Sequence, residues 1–544
     1  MRNARVWLLP VLTYALIAAF ITWPLVLDPS GHVVGGARSD VWNSLWGLWF
    51  VAEQGSALPA VTSLLDHPGG GRIAVADPLN SLLALPLTAL LGPVIAYAVL
   101  VLGHVTFGGL AAHALGRETG GSGWIAGVGY QLAPVCLAHL QNGSSEAIST
   151  GWLPLAALAV IRANRTGSWS WRIGAGIALG LCALGGWYAG VCAWLVVAAV
   201  VAVGGGKDGL RGRLFRLAPA MVLALAMALP AAHAVRAVAL ASDGLVDIKQ
   251  GEDLARIRRT LGAADPRSFV MPGDFRSPDF AALEGNPSDF VHASYLGFSL
   301  IGLAIFATVR RRRRRETLGP DAPGLGLWWL AGGAAAVLAL GPVLVWGGRP
   351  LALGARDIGL PMPYLALEPL PGFGSLSLLW RLSTGTALAL AVIADRLSPW
   401  WATVVVAEVL AVSPAADLPQ VTPLPQTAAL AALDEADGAV VNLPPTAARS
   451  YLYEQVVHGH PVVGSLNTGT NVAGLSILRA ARAIREGEEP PQHLEEIARS
   501  FGVRWVVWHR DVLMDDSVLE AAGTIRKVAD VVAEDDRVRV IRLY

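Results

Sequence analysis

The sequence predicts a polytopic α-helical membrane protein with a small α/β domain at its C-terminal end. Of its 544 residues, 54% are hydrophobic and 15% are charged, whereas soluble domains carry about 25% charged residues. The mean hydropathy is +0.50. Long stretches offer no polar face to water, so lipid is the expected solvent for most of the chain.

About eleven transmembrane helices are predicted, since each crossing of the hydrocarbon core takes about 20 residues. The first apolar run is too long for a signal peptide, and no small-residue cleavage pattern follows it. The expected spans are 6–27, 93–116, 122–140, 147–163, 171–186, 188–204, 214–236, 293–309, 326–346, 375–395 and 398–412. The apolar segment 80–91 is short, and we expect it to lead into the second span or to re-enter the membrane.

An excess of basic residues recurs in every second connection between the predicted spans, and the other connections carry far less of it. Arg2 and Arg5 precede the first span, and further basic residues occupy every second connection up to the arginine run 310–315. Cytoplasmic loops hold an excess of Lys and Arg, so this pattern places the N-terminus in the cytoplasm. The other connections, among them 28–79 and 237–292, are then expected outside. An odd number of spans places the C-terminal end outside as well.

The last part of the chain differs in character from the rest. Residues 413–544 carry charge throughout, with short strand-like runs that begin at Gly438, Gly502 and Arg537. A polar helical pattern opened by Pro490 leads into the second of these runs. The sequence therefore predicts a transmembrane domain at 1–412, with outer loops 28–79 and 237–292. It predicts a soluble extracytoplasmic α/β domain at 413–544.

Charge and cysteine content exclude some classes of function. The 41 basic and 41 acidic residues balance, and without a basic excess we expect no nucleic-acid partner. Cys136, Cys182 and Cys192 all lie in apolar segments, which predicts neither a disulfide framework nor a metal site. The sequence requires no cofactor and leaves open whether a divalent metal takes part.

Two acidic residues on predicted outer loops are the strongest candidates for chemistry. Asp40 precedes the segment 41–53, whose tryptophans recur at helical spacing, as is typical of a helix in the membrane interface. Glu146 lies in the short outer loop 141–146. Two such carboxylates can divide the work, one as a general base and the other orienting a nucleophile or a metal. The structural alternatives are a helix N-cap at Asp40 and an Asn-Gly hairpin tip in the second loop.

In layout the chain resembles the GT-C membrane glycosyltransferases. That superfamily includes the protein O-mannosyltransferases, the aminoarabinose transferases and the catalytic subunit of oligosaccharyltransferase. The likeness lies in a first span with a cytoplasmic N-terminus, a long first outer loop with an early acid, an interface helix and a second acidic loop. Motifs similar to a bacterial branch of the superfamily are 39–49, 77–86, 139–142, 152–154, 367–374 before Arg381, 451–461 and 502–507.

The resemblance implies an inverting transfer of a sugar from a polyprenyl-phosphate carrier to an acceptor outside the cytoplasm. It implies that Asp40 is the catalytic base and that Glu146 is the second-loop acid. Cations are then expected at the lipid phosphate, and the candidates are Arg38, Arg72 and Arg381. The other expected substrate contacts are Asn43, Trp46, Asp66, His67, His139, Gln141 and Asn142.

Two further functions remain open from the sequence. A transporter or flippase of lipid-linked saccharide would carry inverted repeats and broken, charged helices near the membrane midplane, and no such repeat is visible. A non-catalytic scaffold would act through the C-terminal domain, where His458 and His460 alone are a weak metal signal. The arginine- and alanine-rich, lysine-poor composition is typical of a bacterium with GC-rich DNA. The expected location is therefore the bacterial inner membrane, with the acceptor unknown.

Overall fold

The computed structural model describes residues 2–75, 77–204, 209–245, 255, 257–259, 262–272, 290–314, 324–353, 358–370, 372–412, 419–425, 428–433, 437–445, 449–466, 470–512 and 514–544. The chain divides into two compact units. The helical unit comprises Met1–Val41, Asp77–Ala232 and Lys249–Thr422, and the C-terminal unit comprises Trp42–Ala76, His233–Ile248 and Pro423–Tyr544. Much of the predicted outer loop 237–292, the end of the arginine run at 315 and the predicted domain start at 413 lie outside the described residues.

The helices described up to residue 411 lie mostly in the predicted apolar segments. They are α1 (Arg2–Ile21), α2 (Val41–Gln54), α3 (Pro78–Glu118), α4 (Trp124–Gln131), α5 (Pro134–Asn142), α6 (Ser145–Ile148), α7 (Trp152–Thr166), α8 (Trp169–Gly185), α9 (Trp187–Val203), α10 (Leu210–Leu240), α11 (Phe298–Arg314), α12 (Leu325–Ala339), α13 (Tyr364–Leu367), α14 (Ser383–Ala394) and α15 (Ala402–Ala411). In the part of the chain that the structure describes, α3 and α10 are long and apolar enough to cross a membrane, and five shorter stretches are apolar helices. Every predicted span overlaps a helix.

One predicted span, 122–140, is two short helices, α4 and α5. The helix breaks at Leu132 and Ala133, just before Pro134. Proline has no N–H to donate to the preceding turn and disfavours a helical conformation in the residue before it. The break therefore follows directly from the position of this proline.

Helix α3 is a hairpin of two helices rather than one straight rod. Gly92 has φ 82° and ψ 165° and is followed by a proline, which ends the first helix. A straight helix would separate Asn80 from His104 by about 36 Å, yet their side chains are hydrogen bonded at 2.7 Å. The short arm 78–91 therefore folds back along the long arm 93–118.

Two acidic residues among the apolar helices hold helix N-termini. Asp395 is 1% exposed and accepts hydrogen bonds from three backbone N–H groups at the start of α4, at 2.7–3.3 Å. Glu408 accepts from two backbone N–H groups at the start of α11, at 2.7 and 2.8 Å. The first N–H groups of a helix lack partners within it, and the helix dipole favours negative charge there. Both acids therefore have structural roles.

The C-terminal unit contains a mixed β-sheet. Among the described residues the strands are β1 (His32–Val34), β2 (Ala60–Thr62), β3 (Gly71–Ile73), β4 (Val345–Trp346), β5 (Arg349–Pro350), β6 (Ala352–Leu353), β7 (Ile358–Gly359), β8 (Val421–Pro423), β9 (Ala439–Leu443), β10 (Val503–His509), β11 (Asp530–Glu534) and β12 (Val538–Arg542). The last four form one sheet in the order β11-β12-β10-β9. Only β9 and β10 run parallel in it.

Both faces of this sheet are buried. Alternate residues of a strand point to opposite faces, and Val441 and Val506 lie in one core whereas Val440 and Val507 lie in the other. The later helices are α16 (Ser450–His458), α17 (Val472–Glu486), α18 (Gln492–Phe501) and α19 (Asp516–Val528). The last three of these helices supply side chains to the first core.

The tryptophan-rich helix α2 helps to cover the second face. Trp46 and Phe50 are each 1% exposed, and their rings stack with centroids 4.8 Å apart. The indole N–H of Trp46 donates to Gln455 Oε1 at 2.8 Å. Of the aromatic face that was predicted for a helix in the membrane interface, Trp46 and Phe50 are therefore buried within the protein. Helical periodicity identifies a face to be buried but not the partner that buries it.

Candidate functional site

The first and second predicted outer loops run side by side in the helical unit. The backbone N–H of Gly36 donates to Gln141 O at 2.9 Å, and the backbone N–H of Asp40 donates to Asn142 O at 3.1 Å. The hydroxyl of Ser144 donates to Asp40 Oδ2 at 3.0 Å. The second loop therefore orients the half-buried Asp40 carboxylate through both main-chain and side-chain hydrogen bonds.

Gly143 permits this close approach of the two loops. Its φ is +64°, and a Cβ on it would lie 2.7 Å from the Cβ of the residue that follows Asp40. The hydroxyl of Tyr97, on the long arm of α3, lies 2.9 Å from Val34 O and 3.2 Å from Gly143 O. The same hydroxyl is within electrostatic range of the carboxylates of Asp40 and Glu146. One tyrosine thus contacts both loops beside the two acids.

Glu146 forms an ion pair with Arg381. Oε1 of the acid lies 3.1 Å from Nη1 of the guanidinium, and the two side chains are 26% and 5% exposed. The guanidinium lies over the rings of Tyr188 and Trp380, with centroids 5.6 and 5.9 Å away, which is within the range of cation–π attraction. A buried cation thus lies directly beside the second-loop acid.

Several buried polar atoms around this cation lack a hydrogen-bond partner among the described residues. They are Nε of Arg381, Nε1 of Trp380 and Nδ1 of His139. The rings of His139 and Trp380 lie 5.4 Å apart, so these atoms belong to one cluster. Leaving a buried polar group unsatisfied costs about 1–3 kcal/mol. A cation together with unsatisfied N–H groups favours an anionic ligand rich in oxygen atoms.

A second polar cluster lies at the start of α3. Nδ2 of Asn80 is 2.5 Å from Asp77 Oδ2 and 3.1 Å from Ser145 O, and it also contacts Ser149 Oγ. Oδ1 of Asn80 accepts from His104 Nε2 at 2.7 Å. Burial raises the pKa of Asp77 to about 7, although hydrogen bonds from Asn80 and Ser145 act in the opposite direction. One amide side chain therefore joins both arms of α3 to the second loop.

The amides of the second loop, which were expected to contact substrate, bond to other connections. Oε1 of Gln141 accepts from the backbone N–H of Gln420 at 2.8 Å. The amide of Asn142 exchanges two hydrogen bonds with the backbone of Val291, at 2.7 and 3.0 Å. These two residues connect loops of the helical unit. Arg38, the expected cation beside Asp40, has an exposed side chain.

Five of the predicted substrate contacts belong to the C-terminal unit: Asn43, Trp46, Asp66, His67 and Arg72. The Asn471 amide donates to Asp66 Oδ1 and His67 O, both at 2.8 Å. The ring of His67 donates to a backbone carbonyl at 2.9 Å, and Arg72 pairs with Asp243 at 3.3 Å. Within this unit, Asp66, His67 and Arg72 hold turns and a hairpin together.

Sequence reasoning missed Ser144, Asn80, Tyr97 and Trp380 as parts of the site. A signal existed for Asn80, because a polar side chain inside an apolar stretch is costly unless it has a partner or a function. The hydroxyl and aromatic residues gave no such signal. Their roles depend on contacts between segments far apart in sequence.

No protein-family model and no curated protein sequence matches this chain. Its structure is similar to the arabinofuranosyltransferase AftD from mycobacteria, with TM-score 0.50 and 16% identity, over 99% of this chain and 41% of AftD. ArnT from Cupriavidus metallidurans is similar with TM-score 0.48 and 14% identity, over 100% of this chain and 98% of ArnT. The oligosaccharyltransferase of Archaeoglobus fulgidus is similar with TM-score 0.48 and 13% identity, over 92% of this chain and 69% of its own.

These three proteins are GT-C glycosyltransferases. At such low sequence identity a structural likeness speaks for the fold, and the likeness to AftD extends over nearly the whole of this chain. This chain spans about two fifths of the length of AftD. The fold of this chain is therefore similar, over nearly its whole length, to that of the GT-C glycosyltransferase AftD.

Proposed function

We propose that this chain is an integral-membrane glycosyltransferase that moves a sugar from a polyprenyl-phosphate donor to an acceptor outside the cytoplasm. The observation that carries the proposal is the pair of features in the helical unit. One is a carboxylate, Asp40, oriented by Ser144 at 3.0 Å. The other is a buried cation, Arg381, whose own Nε lacks a partner among the described residues, as do Nε1 of Trp380 and Nδ1 of His139 in the same cluster. A base and an anion site are what transfer from a phosphate-linked donor requires.

Asp40 acts as the general base in the proposed reaction. The acceptor's nucleophilic atom attacks the anomeric carbon on the face opposite the phosphate, which inverts the configuration there. As the new bond forms, Asp40 takes the acceptor's proton. The bond from the anomeric carbon to the phosphate oxygen breaks, and its electron pair leaves with the lipid phosphate. The hydrogen bond from Ser144 keeps the carboxylate oriented for this proton transfer.

Arg381 stabilises the leaving group. The departing phosphate gains negative charge, and a positioned guanidinium lowers the energy of that charge in a site that excludes water. Glu146, at 3.1 Å, holds the guanidinium in place. The indole N–H of Trp380 and the ring of His139 offer neutral hydrogen bonds beside it. A donor phosphate is the anionic ligand that we propose for this cluster.

The membrane orientation is part of the proposal. About eleven spans, a cytoplasmic N-terminus and an external C-terminal unit are supported by the distribution of basic residues along the sequence. In a bacterium, the site would then open on the outer side of the inner membrane. The reaction as written needs no cofactor, and the transfer assay with EDTA, and with added Mg²⁺ or Mn²⁺, tests whether a divalent metal takes part.

The test is transfer of radiolabelled sugar in membranes that contain the protein, across a panel of polyprenyl-phosphate donors. Asp40→Asn removes the base, and Asp28→Asn is the matched control because it changes an exposed acid of the same loop. We expect transfer by the parent and by the control, and none by Asp40→Asn at equal abundance. Equal transfer by all three contradicts the role of Asp40. Movement of lipid-linked sugar across the membrane without transfer to an acceptor contradicts the proposed glycosyltransferase activity and favours a transporter.

A further inference from the structure

The polar cluster at the start of α3 connects to both acids of the site. Asn80 and His104 are 1% and 7% exposed, and their 2.7 Å hydrogen bond joins the two arms of the α3 hairpin. Because Nδ2 of Asn80 faces three acceptors, its Oδ1 faces the imidazole, and His104 must donate from Nε2. The orientation of the Asn80 amide is therefore set by the long arm of α3.

The other side of the same amide holds the second loop. Nδ2 of Asn80 contacts Ser145 O at 3.1 Å and also Ser149 Oγ. Within this loop segment, Ser144 donates to the Asp40 carboxylate. These contacts lie at both ends of the short helix α6 (Ser145–Ile148). A single side chain thus fixes the segment from which the base is oriented.

Glu146 lies in the same segment, between the two residues that Asn80 contacts, and pairs with Arg381 at 3.1 Å. Any shift of the segment moves the hydrogen bond to Asp40 and the ion pair to Arg381 together. Misplacing reacting groups by about 1 Å can cost 100-fold in rate. A contact outside the reacting groups can therefore control the rate.

We infer that Asn80 is a positioning residue that holds residues 144–149 so that the base and the cation act at one substrate. This inference rests on the proposed function. Asn80 touches neither Asp40 nor Arg381 in the contacts described above, and it acts through Ser144 and Glu146. His104 has the supporting role of fixing the Asn80 amide.

The kinetic test compares Asn80→Ala with Thr88→Ala. Thr88 is a matched control because it is buried in the same short arm and, among the described residues, its hydroxyl bonds only to Ala84 O of its own helix. For Asn80→Ala we expect kcat to fall by about 10- to 100-fold, with KM for the donor changed by no more than about threefold. His104→Gln keeps an N–H donor and is expected to retain most activity. His104→Ala lacks that donor, and its kcat is expected to fall as in Asn80→Ala. Full activity of Asn80→Ala, or equal losses in Thr88→Ala, overturns the inference.

A second measurement does not depend on the reaction. Hydrogen–deuterium exchange of the full chain in detergent reports the opening of the segment 144–149. In the closed segment, the backbone N–H groups of Ala147 and Ile148 donate to Ser144 O. Asn80→Ala is expected to speed exchange there, and Thr88→Ala is not. Unchanged exchange in Asn80→Ala overturns the positioning role even if the parent transfers no sugar. Loss of transfer in the parent together with faster exchange in Asn80→Ala contradicts the proposed function and leaves the positioning of the segment supported.

Discussion

Replacing Glu146 by glutamine leaves the guanidinium of Arg381 buried without its counter-charge. The two charged groups are in contact at 3.1 Å. With charge centres about 4 Å apart and an effective dielectric constant near 20, their attraction is about 4 kcal/mol. Glu146 is 26% exposed, so water replaces part of the interaction, and we expect a coupling free energy of about 2 kcal/mol.

A double-mutant cycle isolates this coupling. Glu146→Gln is expected to destabilise the folded protein by about 2–3 kcal/mol, since removing one partner of a buried pair leaves a charge uncompensated. Arg381→Gln is expected to cost less, because the remaining carboxylate is partly hydrated. The double variant should be more stable than the sum of the single effects predicts, by about 2 kcal/mol. Thermal unfolding in detergent, followed by tryptophan fluorescence, measures these differences as shifts of the apparent midpoint.

The control cycle uses Arg482→Gln and Glu486→Gln. This pair lies at 2.8 Å on α17, but its side chains are 68% and 36% exposed, and exposed helix pairs contribute little to stability. Additive shifts for the Glu146–Arg381 pair, like those of the control, would refute the reasoning. The double variant also separates stability from function, because it should regain stability and still fail to transfer sugar. Transfer by the double variant would contradict the role of Arg381 at the phosphate.

Three other changes have defined outcomes. Gly143→Ala places a Cβ 2.7 Å from a neighbouring Cβ at φ +64°, so transfer should fall by about 10-fold or more. Gly167→Ala has the same φ, but its Cβ would meet no atom nearer than 3.7 Å, and it should leave the activity unchanged. Asp395→Ala removes the side chain that accepts three hydrogen bonds at the start of α4. It should lower the free energy of unfolding by about 2–3 kcal/mol in thermal unfolding, and Asp395→Asn should recover part of this loss. Burial raises the pKa of Glu454 to about 8 from 4.5, so its stabilising contribution is complete at low pH and is lost as pH rises. Between about pH 7 and 9 the parent should lose about 1.4 kcal/mol more than Glu454→Gln, and equal losses in the two melting series would contradict this pKa.

Local patterns in the sequence predicted the local structure well. The apolar runs overlap helices, and the strand-like runs beginning at Gly438, Gly502 and Arg537 correspond to β9, β10 and β12. The edge strand β11 was not predicted, because Asp530–Glu534 has mostly exposed side chains and so lacks an alternating apolar face. The Gly-Pro pair at Gly92 indicates a turn in the sequence. Nothing in the sequence indicates the direction in which the short arm folds back.

The connections within the site could not be predicted from the sequence. Glu146 and Arg381 are 235 residues apart, and periodicity carries no information about such pairs. The spacing of the loops identified Asp40 and Glu146 as candidates. It did not show that Arg381 pairs with the second acid, or that Asn80 joins the second loop to α3. These contacts depend on how the helices pack, which is decided by the whole set of apolar faces.

The hairpin in α3 also limits insertions and deletions in this part of the gene. Asn80 and His104 lie at equal sequence distances on either side of Gly92. One extra residue in either arm would rotate everything beyond it by about 100° and shift it by about 1.5 Å. The two side chains would then point in different directions, even if every apolar residue still faced an apolar neighbour. Among related chains, we expect the lengths of 80–92 and 92–104 to stay constant while their apolar residues exchange freely.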